Sequence, residues 1–245
     1  MKNYFLLFVL AVAIILSSCN KSEEFKTDAI SEFAPLIIGR YITYNLDSLI
    51  FASNTIPYDR VISYQVKQEV IALVKDNLGK PGYSIRRSIR SSDTDEWQAD
   101  NTFFAINTST GYEFTENNIR YLKLKQPIKN GATWKGNSYI DTYSANSNLK
   151  YLDGWDYSYD SLNTPLTLET IKIPSAVTVL ERNEVLGDTT NHNTYSEINF
   201  SVSNYGRGIG LVYHRFLHQE YQPPTPGTFG YKIGYGVTLT MIDHN

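Results

Sequence analysis

The chain has 245 residues, a formal charge of −3 and no cluster of basic residues. A mildly acidic chain without a basic stripe lacks the electrostatic footprint of a nucleic-acid binder, so no nucleic-acid partner is expected. Nineteen Tyr, eleven Phe and three Trp stand beside a single Cys. Side chains of this kind suit pleated surfaces that are buried on one side and wet on the other, and the core must hold without a disulfide.

The first eighteen residues carry one charge, Lys2. An unbroken apolar run then extends from Tyr4 to Leu16, followed by Ser17, Ser18 and Cys19. Charge, apolar stretch and small residues are the order of a secretory signal peptide. Thirteen apolar residues fall short of the roughly 20 that cross a bilayer as a helix. Leu16-Ser17-Ser18-Cys19 resembles the lipobox of bacterial lipoproteins. The resemblance implies cleavage before Cys19, a diacylglycerol thioether on its sulfur and acylation of the new N-terminus with a fatty acid such as palmitate. Two or three chains hold a protein on a membrane where one would not. Asn20 replaces the aspartate that retains lipoproteins in the inner membrane of well-studied Gram-negative systems. Lys21-Ser22-Glu23-Glu24 resembles the export signal of Bacteroidota surface lipoproteins. The expected location is therefore the outer membrane, facing the cell exterior, with the periplasmic face as the alternative.

Cleavage after Ser18 leaves 227 residues and removes Lys2, taking the formal charge to −4. Residues 19–36 read as the lipidated cysteine and a tether, and residues 37–245 as one globular domain. From Gly39 the pattern has period two. Ile42, Tyr44 and Leu46 alternate with polar neighbours, and so do Ile62, Tyr64, Val66 and Val70, which is the pattern of half-buried strands. Turn chemistry at Asn77–Gly82 precedes a strand through Tyr83, Ile85, Arg87 and Ile89. Further strands are expected at 97–107, 112–115 and 119–125, divided by Thr108–Gly111 and Asn117-Asn118. Lys129-Asn130-Gly131 marks a tight turn. Ser138–Pro165, rich in Asn, Ser, Asp and Tyr, reads as a long excursion with room for one strand. Strands resume at 167–173, 176–182, 195–202 and 211–221, and Pro223–Gly227 cannot pair. The last strand sets Phe229, Tyr231, Ile233, Tyr235, Val237, Leu239 and Met241 on one face, with glycines, threonines and Lys232 on the other. Ten to twelve short strands and no internal repeat indicate an all-β, antiparallel fold: a single curved, barrel-like sheet or a sandwich.

Several segments together carry a family likeness: Gly39–Tyr44, Tyr64–Lys67, Asn117–Leu124, Pro127–Trp134 and Gly206–Tyr213. In this order they resemble a group of uncharacterised Bacteroidota outer-membrane lipoproteins of β-rich fold. The likeness implies structural motifs only, a turn before a buried indole at Gly131–Trp134 and a kinked strand start at Gly206–Val212. It carries over no catalytic residue.

The search for chemistry is sparse. His214 and His218 are four apart, but on a strand that spacing is ~13 Å at ~3.3 Å per residue, too far for one zinc ion; Arg215, Phe216 and Leu217 lie between them. No nucleophile elbow, phosphate loop or dinucleotide fingerprint is present, so no catalytic residue, metal ligand or cofactor is expected. Asp153–Asp160 concentrates aromatic and acidic residues in what reads as a loop. Trp155, Tyr157 and Tyr159 are the candidate contacts for a sugar or a protein partner, or the cover of a core. Asp47-Ser48-Leu49 and Asp160-Ser161-Leu162 resemble the short O-glycan acceptor of Bacteroidota, which makes Ser48 and Ser161 candidate glycosylation sites. The function expected is non-enzymatic: a lipid-anchored accessory subunit that docks on an outer-membrane protein complex for uptake, secretion or assembly. A surface glycan-binding module is the alternative, and a hydrolase a third reading.

Overall fold

A computed structural model describes residues 27–52 and 58–245; Cys19 and the signal segment lie outside them. A helical turn, α1 (Ile30–Phe33), precedes β1 (Tyr41–Ile50), β2 (Arg60–Lys75), β3 (Pro81–Arg90), β4 (Gln98–Asn107), β5 (Gly111–Glu116) and β6 (Ile119–Lys125). The second half contains β7 (Thr133–Lys135), β8 (Asp156–Leu168), β9 (Ile171–Leu186), β10 (Ser196–Gly206), β11 (Gly210–Gln222) and β12 (Tyr231–His244). Among the described residues no helix is long and apolar enough to cross a membrane.

All twelve strands form one antiparallel sheet in the order β6-β5-β4-β3-β2-β1-β12-β11-β10-β9-β8-β7, nearly closed into a barrel. Each half of the chain is a six-stranded meander, and the β1–β12 ladder joins them. The remaining edges, β6 and β7, meet along a seam rather than a ladder. Leu122 N donates to Gly136 O (2.8 Å), and Trp134 Nε1 donates to Leu122 O (2.7 Å). Tyr159 Oη donates to Lys125 O (2.8 Å) and accepts from Lys125 N (3.1 Å). These bonds satisfy backbone groups that an open edge would leave unpaired.

The turns follow their residues. Asn117 and Asn118 both have positive φ, 50° and 62°, the backbone of the two-residue hairpin whose twist matches the strands. Gly234 has φ 110°, and a Cβ there would collide with the His218 carbonyl, so the small face of the last strand lets β11 approach closely. Gly131 at φ 73° precedes the buried Trp134, as expected for that segment.

Three expectations change. The strand anticipated over 167–173 is a hairpin turn: β8 ends at Leu168, β9 begins at Ile171, and Glu169 takes φ 49°. The one strand allowed within the excursion from Ser138 is β8, which begins at Asp156 and runs on past Pro165 to Leu168, so the loop itself is shorter than anticipated. The described part of the expected tether, from Thr27, belongs to the fold. Ile30 and Phe33, three apart on one helical turn, share a face and are buried in the core with Leu124, Val177 and Tyr205. Arg207 bonds Asp28 (2.6 Å) and pairs with Glu32, Gly208 N donates to Glu32 O (2.6 Å), and Asn107 Nδ2 donates to Ala34 O (2.8 Å). This segment plugs the barrel end that carries the β10–β11 turn.

Candidate functional site

Among the described residues nothing fills the opposite end. A cavity of about 470 Å³ occupies the barrel interior, bordered by side chains from ten of the twelve strands and by residues 149–155. A smaller void of about 70 Å³ lies toward the plug and shares Gln68, Tyr112, Phe114, Tyr205 and Leu211 with it. The larger volume falls within the roughly 300–1,000 Å³ of small-molecule sites.

Strand alternation places a polar centre in the wall. On β9, Val177, Val179 and Glu181 share the inward face, and Glu181 is 1 % exposed. Lys123 Nζ on β6 donates to both carboxylate oxygens (3.1 and 3.2 Å), and the Ser201 and Ser203 hydroxyls on β10 donate to one each (2.7 and 2.8 Å). Burial works to raise the Glu181 pKa, but Lys123, His214 and the two hydroxyls hold it below the ordinary carboxylate value. His214 Nδ1 lies 2.9 Å from Ser203 Oγ; because that hydroxyl donates to Glu181, Nδ1–H is the donor to it. Burial lowers the His214 pKa to about 4, so the imidazole is neutral at pH 7. Toward the mouth, Arg87 pairs with Asp100 and lies 3.5 Å from Glu116. Burial raises the Glu116 pKa against the pull of Arg87.

The segment between β7 and β8 caps part of the mouth. The Tyr151 ring stacks on His218 with centroids 4.1 Å apart and planes at 14°, and its hydroxyl lies 3.3 Å from that of Tyr235. Trp155 stacks on Phe216 (5.9 Å, 27°) and its Nε1 donates to Tyr151 O (2.8 Å). Asn137 accepts from Tyr157 Oη (2.9 Å) and donates to Leu152 O (2.9 Å). These bonds make the segment a fixed cover.

Trp155, Tyr157 and Tyr159 are therefore not a surface platform; all three are buried. Trp155 and Tyr157 border the cavity, whereas Tyr159 closes the seam. Asp156–Asp160 form the start of β8, because inward aromatics at alternate positions are what a strand against a core requires. Ser48 faces the cavity from β1. Ser161 lies within β8 and donates to Thr178 Oγ1 (2.9 Å). In the folded chain neither serine stands on an exposed loop. His214 and His218 each take a partner on β10, Ser203 and Asn199 (2.8 Å).

Sequence reasoning missed the centre on Glu181. The available signal was a carboxylate in step with Val177 and Val179 inside an expected strand. Lys123 gave none, since both faces of β6 mix apolar and charged residues. No protein-family model, curated protein or solved structure matches the chain.

Proposed function

We propose that the protein is a lipid-anchored outer-membrane lipoprotein, of the Bacteroidota group it resembles, whose barrel holds a small ligand in its interior and binds it without turnover. The cavity carries this reading: twelve strands enclose more width than side chains alone fill, and here about 470 Å³ is left in the interior while the far end is sealed. Glu116 and Glu181 both border the cavity, the arrangement a glycosidase would use. Both oxygens of Glu181 already accept two hydrogen bonds each, which leaves no lone pair for a nucleophile or base and favours binding over hydrolysis.

The anchor sets an orientation. Cys19 and Thr27 are eight Cα steps apart, a reach of at most about 28 Å. Thr27 bonds Gln126 (2.8 Å) beside the plug, which favours an orientation with the plugged end nearer the lipid and the mouth away from it, toward the exterior in our reading. A second reading, docking on an outer-membrane protein complex, is favoured by the rim: Phe229 is 94 % exposed, with Tyr58 and Tyr143 nearly as open.

Native mass spectrometry of the chain extracted from its own membranes tests the main reading. A bound species of defined mass is expected and is lost when Val237→Trp fills the cavity; an empty chain, or a reaction product formed from the bound species, contradicts it. Cys19→Ser is expected to lose a radiolabelled palmitate and to leave the membrane fraction.

A further inference from the structure

We propose that the cavity takes an uncharged, polyhydroxylated ligand, a mono- or disaccharide, held between its aromatic upper wall and the polar centre around Lys123 and Tyr112. This rests on the reading of the interior as a ligand site and narrows it to a chemical class.

Charge is the first argument. Four formally charged side chains border the cavity: Arg87, Lys123, Glu116 and Glu181. They balance, two of each sign, and each cation lies within 3.5 Å of an anion. A charged ligand would enter a low-dielectric space with no counter-charge waiting for it, which is costly. An uncharged ligand meets no such penalty.

Polarity is the second argument. A lumen for a hydrocarbon chain gains from an unbroken apolar wall, yet Ser48, Gln68, Ser203 and His214 also border this one. A buried ion pair is a poor way to stabilise a core, since apolar residues of similar volume do as well or better. Its placement in a cavity wall points to recognition.

Unused hydrogen-bonding capacity is the third. Lys123 has three N–H groups; its only hydrogen-bond partners among the described residues are the two oxygens of Glu181, and its Nζ otherwise lies over the Tyr121 and Tyr157 rings at the cavity wall (4.7 and 5.6 Å to the centroids). The Tyr112 hydroxyl donates to no other described residue, and burial alone shifts its pKa upward. Among the described residues the only fully sealed side-chain nitrogen or oxygen without a partner is Arg182 Nε. Tyr112 borders both the cavity and the smaller void, so its unpaired Oη is open to the barrel interior where the two meet. Phe114, Tyr121, Phe216 and Tyr235 supply rings. A sugar presents hydroxyls that both donate and accept, together with a C–H face that packs on such rings, so both halves of the wall are used at once.

The full chain, in a polyoxyethylene detergent that carries no sugar, is titrated by calorimetry with glucose, galactose, mannose, maltose and cellobiose. Glucuronate and palmitate serve as the charged and apolar arms. At least one neutral sugar is expected to bind saturably at one site, glucuronate at least tenfold more weakly, and Tyr112→Phe is expected to weaken the sugar at least tenfold while leaving the unfolding midpoint unchanged. Sugar binding that Tyr112→Phe does not alter places the ligand elsewhere and overturns the proposal. Saturable palmitate with no sugar binding overturns the ligand class and leaves the lumen reading standing. Binding of neither overturns both.

Discussion

One face of β12 runs through both ends of the barrel, and the two ends treat it differently. Met241 is 1 % exposed and Leu239 8 %, whereas Tyr235 is 43 % exposed and Tyr231 53 %. All share one parity and comparable apolar character. At the closed end Met241 meets Tyr44, Val66 and Val212 in a filled core, and the adjoining core takes in Ile30 and Phe33 of the plug. At the mouth no second layer arrives among the described residues, and the same face borders a cavity. Periodicity thus sets which way a side chain points, while depth depends on what the rest of the chain brings to that level.

That difference also marks what the sequence made legible. Alternation from Tyr41 to Met241 located most strands, and Asn117-Asn118, Thr108–Gly111 and Pro223–Gly227 located their turns, because these signals are local. The plug was not legible: two apolar residues on a single helical turn give too short a pattern, and the charges around them read as solvated. The cavity was not legible because it is made of distances across the barrel. Trp155 and Tyr157 stood out as aromatic and do border it, but composition could not distinguish a cover from an exposed platform. Glu181 was readable as an out-of-place carboxylate on an apolar face, whereas its partner Lys123 was not.

The contrast between the ends can be broken by mutation. Phe33→Ala removes a fully buried ring from the plug and is expected to destabilise the fold by about 3–5 kcal/mol, measured by denaturant unfolding. A change below 1 kcal/mol would mean that residues 27–36 are a tether after all. Glu181→Ala strands Lys123 beside the cavity and is expected to cost about 3–5 kcal/mol. The double change Glu181→Leu with Lys123→Met should restore most of that stability; failure to do so would show that the centre supports the fold rather than a ligand.

A smaller effect separates the polar centre from both ends. His214 is held neutral with a pKa of about 4 against 6.5 in the unfolded chain. The unfolded chain then binds the extra proton first as pH falls, so stability is full above about 6.5 and declines toward 4. The loss is up to about 3 kcal/mol, and contact with the cavity should reduce it. His214→Asn is expected to flatten this part of the pH–stability curve. The smallest effect belongs to the rim: Phe229→Ala should change stability by no more than about 0.5 kcal/mol, and a larger loss would reveal a packed surface where the fold has an open one.

The difference between the ends is tested most directly by thiol chemistry. Ser48→Cys places a thiol in the cavity and Met241→Cys places one in the closed core, in a chain whose single native cysteine is the lipidated Cys19 of our reading. On intact cells N-ethylmaleimide is expected to modify Ser48→Cys readily and Met241→Cys only after unfolding, while a large polyethylene glycol maleimide reaches neither in the folded chain. Equal rates at the two positions, or a Ser48→Cys thiol that stays unreactive until the barrel unfolds, would contradict an interior open at the mouth and sealed at the anchor end.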